Sequence, residues 1–188
     1  MDNILIDELT ELVENACKSK SNKYGYGIWS HHIKPMLKIS SKLAALYNAE
    51  EEIVIIATLL HDLAGIRDDS KTKDHHVYGA IEAEEILRKY NYSEVGIEKV
   101  KKCILNHRGS INNIKDSVEE ICVADADAMA HIEQIGSLFY LVYKELNMEM
   151  EEGIQYINGK INRDWNKMSE KSKKLFKYKY ESVIEVIN

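Results

Sequence analysis

Apolar residues recur at spacings of three and four along nearly the whole chain, and a single proline stands among its 188 residues. Period-two alternation is scarce, so the pattern confines the chain to helices that each bury one apolar stripe, with no strand required. Leu5, Leu9, Leu12, Val13 and Ala16 predict a first helix over about residues 4–18. Met36, Ile39, Leu43 and Leu46 predict a second over about 31–47, which tolerates Pro35 only within its first turn. The stretch between them contains Gly25 and Gly27 among residues with turn or cap preference and reads as a loop. From Ile53 to Leu60 the chain is apolar almost all round, which marks a helix over about 50–63 as the central buried element. A polar loop over 64–74 should follow, then a helix over about 75–90 and another from a Ser93 cap to His107. Ser117 and Glu120 form a capping-box signature for a helix running through Asp125, and further helices are expected over about 132–150, 152–167 and 169–187. The expected architecture is an all-α bundle of about eight or nine helices.

An apolar content of 45% in a chain of this length supports one substantial core, so residues 1–188 read as a single domain. The net charge of −6 argues against wholesale nucleic-acid binding, although Lys and Arg concentrate between 160 and 179, where a solvated helix face is the default. No apolar run approaches the roughly 18 residues of a membrane span, and the amino terminus is acidic and amphipathic rather than signal-like. Cys17, Cys103 and Cys122 are odd in number and widely spread. A soluble, uncleaved protein of a reducing cytoplasm is therefore expected.

The central apolar run ends on His61-Asp62. An imidazole and a carboxylate rarely close a buried helix without a charge to hold. Around this pair stand His32, His75, His107 and Asp125, in the order His…His-Asp…His…His…Asp. Adjacent helical residues point about 100° apart, so His61 and Asp62 can share an ion only at the helix edge between them, and other helices must complete the shell. His32 and Asp125 would complete it as a His, His, Asp, Asp set with positions left for water. Such a donor set suits Mn, Fe, Ni, Zn, Co or Mg.

This pattern resembles the HD domain superfamily over roughly residues 26–131. His32, Met36, Ser40, Leu43 and Ala44 match its first motif, His75 with Gly79-Ala80 its third, and the apolar helix from Ile121 into Asp125-Ala126-Asp127 its last. Pro35 departs from the pattern, because many relatives carry an arginine there. The resemblance implies an HD-type helical bundle around a metal core at about 26–131, with residues 132–188 as packing and substrate wall. It implies a metal-dependent phosphohydrolase acting through a metal-activated water on a nucleotide or another small phosphorylated metabolite. The metal ligands would be His32, His61, Asp62, His75, His107 and Asp125. One ion or two are both consistent with the family: His75 and His107 either bind a second ion with Asp62 bridging, or contact substrate and orient water. Asp62, His75, His107 and Arg108 are the catalytic candidates.

Other residues remain secondary. Arg67, Lys71, Lys73 and Arg108 lie in loops near the ligands and offer phosphate contacts, with solvation as their default. Tyr24, Tyr26 and Trp29 either stack on a substrate or pin their loop to the core. His31, His76 and His131 read as bystanders, and Asp127 as a structural hydrogen-bonding acid. Four histidines and two aspartates also resemble the di-iron HD oxygenases, which is the alternative function, and a metal-stabilised regulatory domain without turnover is the third. No membrane or nucleic-acid partner is expected.

Overall fold

The structure is a computed structural model that describes residues 3–108 and 114–187. Its helices are α1 (Asn3–Cys17), α2 (Lys34–Tyr47), α3 (Glu51–Leu60), α4 (Leu63–Arg67), α5 (His75–Lys89), α6 (Glu94–Asn106), α7 (Val118–Glu133), α8 (Ile135–Tyr140), α9 (Met150–Lys167) and α10 (Glu170–Ile187), with no strand among the described residues. The all-α class expected from the periodicity is the one observed. The Ser93 and Ser117 caps form, their hydroxyls accepting the backbone N–H groups of Gly96 and Glu120 at 3.1 and 3.2 Å.

Helix α3 is the central strut. Every side chain from Ile53 to Leu60 is buried, and α1, α2, α6 and α7 surround it. Each large aliphatic side chain placed there contributes about 1.5–3 kcal/mol relative to exposure. Its one polar member, Thr58, meets Ser40 of α2 at 2.8 Å, so neither hydroxyl is buried unpaired. The core continues without a break through residues of α7, α9 and α10.

Three departures from the expected elements shape the site. The helix expected over 50–63 stops at Leu60 and restarts at Leu63, with Asp62 at φ −106°, ψ −1° between them. That break lets two successive side chains turn toward the same space, which a regular helix forbids. The loop expected after it is instead α4 followed by a 3₁₀ turn over Asp69–Asp74. Upstream, Trp29–Ile33 winds as a wide π turn in which the Lys34 N–H reaches back to the Trp29 carbonyl, and it runs directly into α2. Pro35 lies in the first turn of α2, where its missing N–H costs least. Wide turns of this kind re-aim side chains, and here His32 is directed into the core.

Gly79 sets the distance between α5 and the end of α3. A Cβ there would stand 3.3 Å from the His61 carbonyl oxygen and 3.3 Å from Ile104 Cγ2. The close approach brings His75, one turn earlier on α5, against the His61-Asp62 break. Asn48 closes α2 in the left-handed region at φ 54°, a conformation asparagine tolerates better than other non-glycine residues.

Candidate metal centre

Four imidazoles converge at the carboxyl end of α3. His32 Nε2 lies 3.2 Å from His61 Nε2, and His75 Nε2 lies 3.1 Å from His107 Nε2. The opposite nitrogens of three of these rings are committed: His61, His75 and His107 each turn Nδ1 to the carbonyl three residues back, on Thr58, Thr72 and Ile104, at 2.8, 2.9 and 2.6 Å. Those carbonyls belong to helix ends and short turns, where main-chain acceptors lack helical partners. An Nδ1–H donated to a carbonyl leaves the lone pair on Nε2. Two lone pairs facing each other across about 3 Å repel unless a proton or a cation lies between them.

Asp62 joins the two pairs. Its Oδ2 lies 3.2 Å from His61 Nε2 and 3.6 Å from His32 Nε2, while its Oδ1 lies 3.3 Å from His75 Nε2. Asp127 Oδ1 adds a second carboxylate, 3.4 Å from His32 Nε2 and 3.9 Å from His61 Nε2. A buried, convergent set of imidazole nitrogens and carboxylate oxygens fits a divalent cation better than any other occupant of that size.

The structure therefore brings His32, His61, Asp62, His75 and His107 together, and it does not bring Asp125. That expectation is corrected. The Asp125 carboxylate accepts from Ser169 N at 3.1 Å and from Ser169 Oγ at 2.6 Å, anchoring the start of α10. Two residues along α7 is about 200° around the helix, so Asp125 and Asp127 face opposite ways. It is Asp127 that faces the histidines.

Behind Asp127 lies a charged network with no motif in the sequence. The Lys167 ammonium of α9 is ion-paired to Asp127 Oδ2, lies 3.4 Å from Asp164 Oδ1 and donates to the His107 carbonyl at 3.0 Å. His131, expected as a bystander, stacks on His32 with ring centroids 4.4 Å apart and turns Nδ1 to Asp164 Oδ2 at 3.0 Å. Asp127, His131 and Asp164 also satisfy the spacing of a metal site. Lys167 and Lys160 already supply the positive charge there, Lys160 at 3.6 Å from Asp164. An ion-pair network is the reading their chemistry supports. The sequence signal was faint: one acid, Asp164, at helical spacing from Lys160 and Lys167.

Burial and mutual charge tune the cluster. Burial and the neighbouring His131 push His32 down to about 3, so it stays neutral. Burial acts against a charged His61 as well, but Asp62 beside it and Asp127 override this and carry it up to about 9. Burial and His61 hold His107 well below the usual histidine range. Burial alone would raise Asp62 and Asp127, yet His61 keeps the first and Lys167 the second well below the carboxylate range. The raised His61 carries a proton that a bound cation would have to displace. Metal affinity is expected to strengthen about tenfold per pH unit from pH 6 toward 9, read by manganese titration. A flat profile would show that His61 does not carry that proton. The linkage for the metal-free fold has the opposite sign. The His61 contribution to stability is complete below its unfolded value of 6.5 and is lost as pH rises through about 9.

A cavity of about 860 Å³ opens over the cluster, lined by Tyr24, Tyr26, Arg108, Tyr140, Tyr156, Lys160 and Arg163 among others. Tyr24 and Tyr26 line it, whereas Trp29 is buried in the core and serves to pin its loop. Of the loop cations, Arg67 pairs with Glu82 and Lys71 lies 3.9 Å from Asp68, and neither lines the cavity. Arg108 does line it, its guanidinium held by the Lys73 carbonyl. His31 lines the rim with Nδ1 at 2.7 Å from Ser30 Oγ, and His76 is buried outside the cluster. No helix among the described residues is long and apolar enough to cross a membrane.

The HD domain model matches residues 29–131. An uncharacterized protein of Clostridium beijerinckii is 29% identical over 105 residues, a match that spans 53% of this chain and 66% of that protein. The crystal structure of a predicted HD superfamily hydrolase from an uncultured Thermotogales bacterium superposes with a TM-score of 0.64 at 21% identity, covering 96% of this chain and 88% of that one. The structure of Bacillus subtilis YpgQ in complex with ADP superposes with a TM-score of 0.70 at 18% identity, covering 97% and 93%. Both likenesses concern the fold.

Proposed function

The chain belongs to the HD domain family, and from that premise we propose that it is a metal-dependent phosphohydrolase acting on a nucleotide or another small phosphorylated metabolite. The observation that carries the reading is Asp62, which presents one carboxylate oxygen to the His32–His61 pair and the other to His75. His32, His61, Asp62 Oδ2 and Asp127 Oδ1 would hold one divalent ion, and His75, His107 and Asp62 Oδ1 a second. Such ions, when bound, neutralise phosphoryl oxygens and lower the pKa of coordinated water toward neutrality.

The protein supplies placement and charge. Carbonyls of Thr58, Thr72 and Ile104 fix three imidazole orientations, and Lys167 fixes which oxygen of Asp127 faces inward. Arg108, directly after His107, is positioned to take the charge of a phosphate at the cluster. Tyr24 and Tyr26 give the cavity an aromatic side suited to a nucleobase, and the ADP in YpgQ accords with that preference.

The oxygenase reading draws on the same donors. Cations along the cavity favour a phosphate over an uncharged polyol, so hydrolysis is the better account. The test is turnover with Mn, Mg, Co, Ni or Fe on monoester, pyrophosphate and diester substrates, beside oxygen uptake by the iron-loaded protein. Hydrolysis of at least one class with no oxygen uptake is expected. Oxygen consumption without hydrolysis would overturn the proposal.

A further inference from the structure

The charges along the cavity do not balance at the metal cluster alone. Each carboxylate that lines the cavity is matched: Asp62 by histidines, Asp127 and Asp164 by Lys167, and Glu133 by Lys179 at 3.0 Å. Among the described residues, neither Arg108 nor Arg163 has a carboxylate ion-paired to it, and both line the cavity. Arg108 stands beside His107, where a phosphate at the cluster would meet it. Arg163 stands on a different wall.

That wall is one face of α9. Tyr156, Lys160, Arg163 and Lys167 are spaced four, three and four residues apart, so they form a single ridge. The ridge begins at the cluster, where Lys167 grips Asp127, and leads away from it past Arg163 and Lys160 to Tyr156. Gly159 leaves room on this face: a Cβ there would come within 3.2 Å of Arg163 Nη1, so the guanidinium lies back over the glycine. A glycine inside a helix is less favourable than alanine, and here the space it leaves is taken by a cation.

We infer that Arg163, seconded by Lys160, is an anion subsite for a second phosphate, so that the centre takes substrates with a phosphate chain in preference to monophosphates. The inference rests on the proposed phosphohydrolase reading. A monophosphate held at the cluster satisfies Arg108 and leaves Arg163 facing water. A chain of two or three phosphates can run from the cluster along the ridge, and the planar fork of arginine matches two oxygens of one phosphate. Lys160 is shared with Asp164, so Arg163 carries the greater part of the subsite.

The test is titration of AMP, and of ADP and ATP analogues with methylene-bridged phosphates, into the manganese-loaded protein, wild type and Arg163→Gln. The ratio of ADP-analogue to AMP affinity is expected to fall about tenfold in the variant, the worth of one charge-assisted hydrogen-bonded contact. Arg163→Lys should restore part of it. An unchanged ratio, an equal loss for all three nucleotides, or no binding to the wild type would each overturn the subsite. Failure of the underlying reading is seen separately: p-nitrophenyl phosphate has no second phosphate, and its hydrolysis by the manganese-loaded wild type reports the metal centre alone.

Discussion

Asp62→Ala is expected to abolish both metal retention and turnover, the latter by about a thousandfold or more, since bound metal contributes several kcal/mol to phosphoryl-transfer transition states. Its carboxylate spans both halves of the cluster, with Oδ2 toward His61 and His32 and Oδ1 toward His75. Its removal also takes away the larger of the two carboxylate charges that raise His61, leaving only Asp127, so the proton between the imidazoles is held less firmly. Elemental analysis of the purified variant checks this beside a turnover assay. An Asp62→Ala protein that kept the wild-type metal content would sink the assignment of the site.

The second large effect separates two aspartates that are two residues apart. Asp127→Asn is expected to lose metal, because Asp127 Oδ1 faces His32 and His61, and to destabilise the fold by about 3–5 kcal/mol because the buried Lys167 loses its principal partner. Asp125→Asn should keep the metal. Its cost is confined to the α9–α10 junction, where Asp125 binds Ser169 and Ser169 Oγ in turn accepts the Ser172 N–H at 3.3 Å, and amounts to about 1–2 kcal/mol. Metal content and thermal stability should therefore both fall further in Asp127→Asn than in Asp125→Asn. Loss of metal in Asp125→Asn with retention in Asp127→Asn would reverse the assignment.

The two aspartates also show where the sequence stops being legible. Helical spacing, the buried run from Ile53 to Leu60 and the Ser93 and Ser117 caps were readable because local chemistry decides them. His32, His61, Asp62, His75 and His107 were readable because their residue types are costly to bury without a cation. The choice between Asp125 and Asp127 was not, because it depends on how α7 is rotated against α2 and α9, which no local preference encodes. Lys160, Arg163, Asp164 and Lys167 were hidden for the same reason. On the sequence they read as a solvated cationic face, and only the packing of α9 on α7 turns that face toward the cavity. The break at His61-Asp62 was obscured by the unbroken hydrophobicity before it, which gives no sign that the helix must end for both side chains to turn the same way.

Asp125 and Asp127 together explain why the C-terminal helices belong to the site. Lys167 and Ser169 flank the buried Met168 and bind Asp127 and Asp125 respectively, so the α9–α10 junction is fastened to α7 at two points. The helices beyond residue 131 thereby help to aim the carboxylate that faces the histidines as well as to wall the cavity.

Whether four histidines, Asp62 and Asp127 hold divalent metal is read by elemental analysis of protein purified without chelator and then saturated with manganese. Two ions per chain are expected, falling to one in His107→Ala, where the His32, His61, Asp62 and Asp127 donors are left intact. A chain that takes up no ion under these conditions, with its fold intact, would contradict the metal centre.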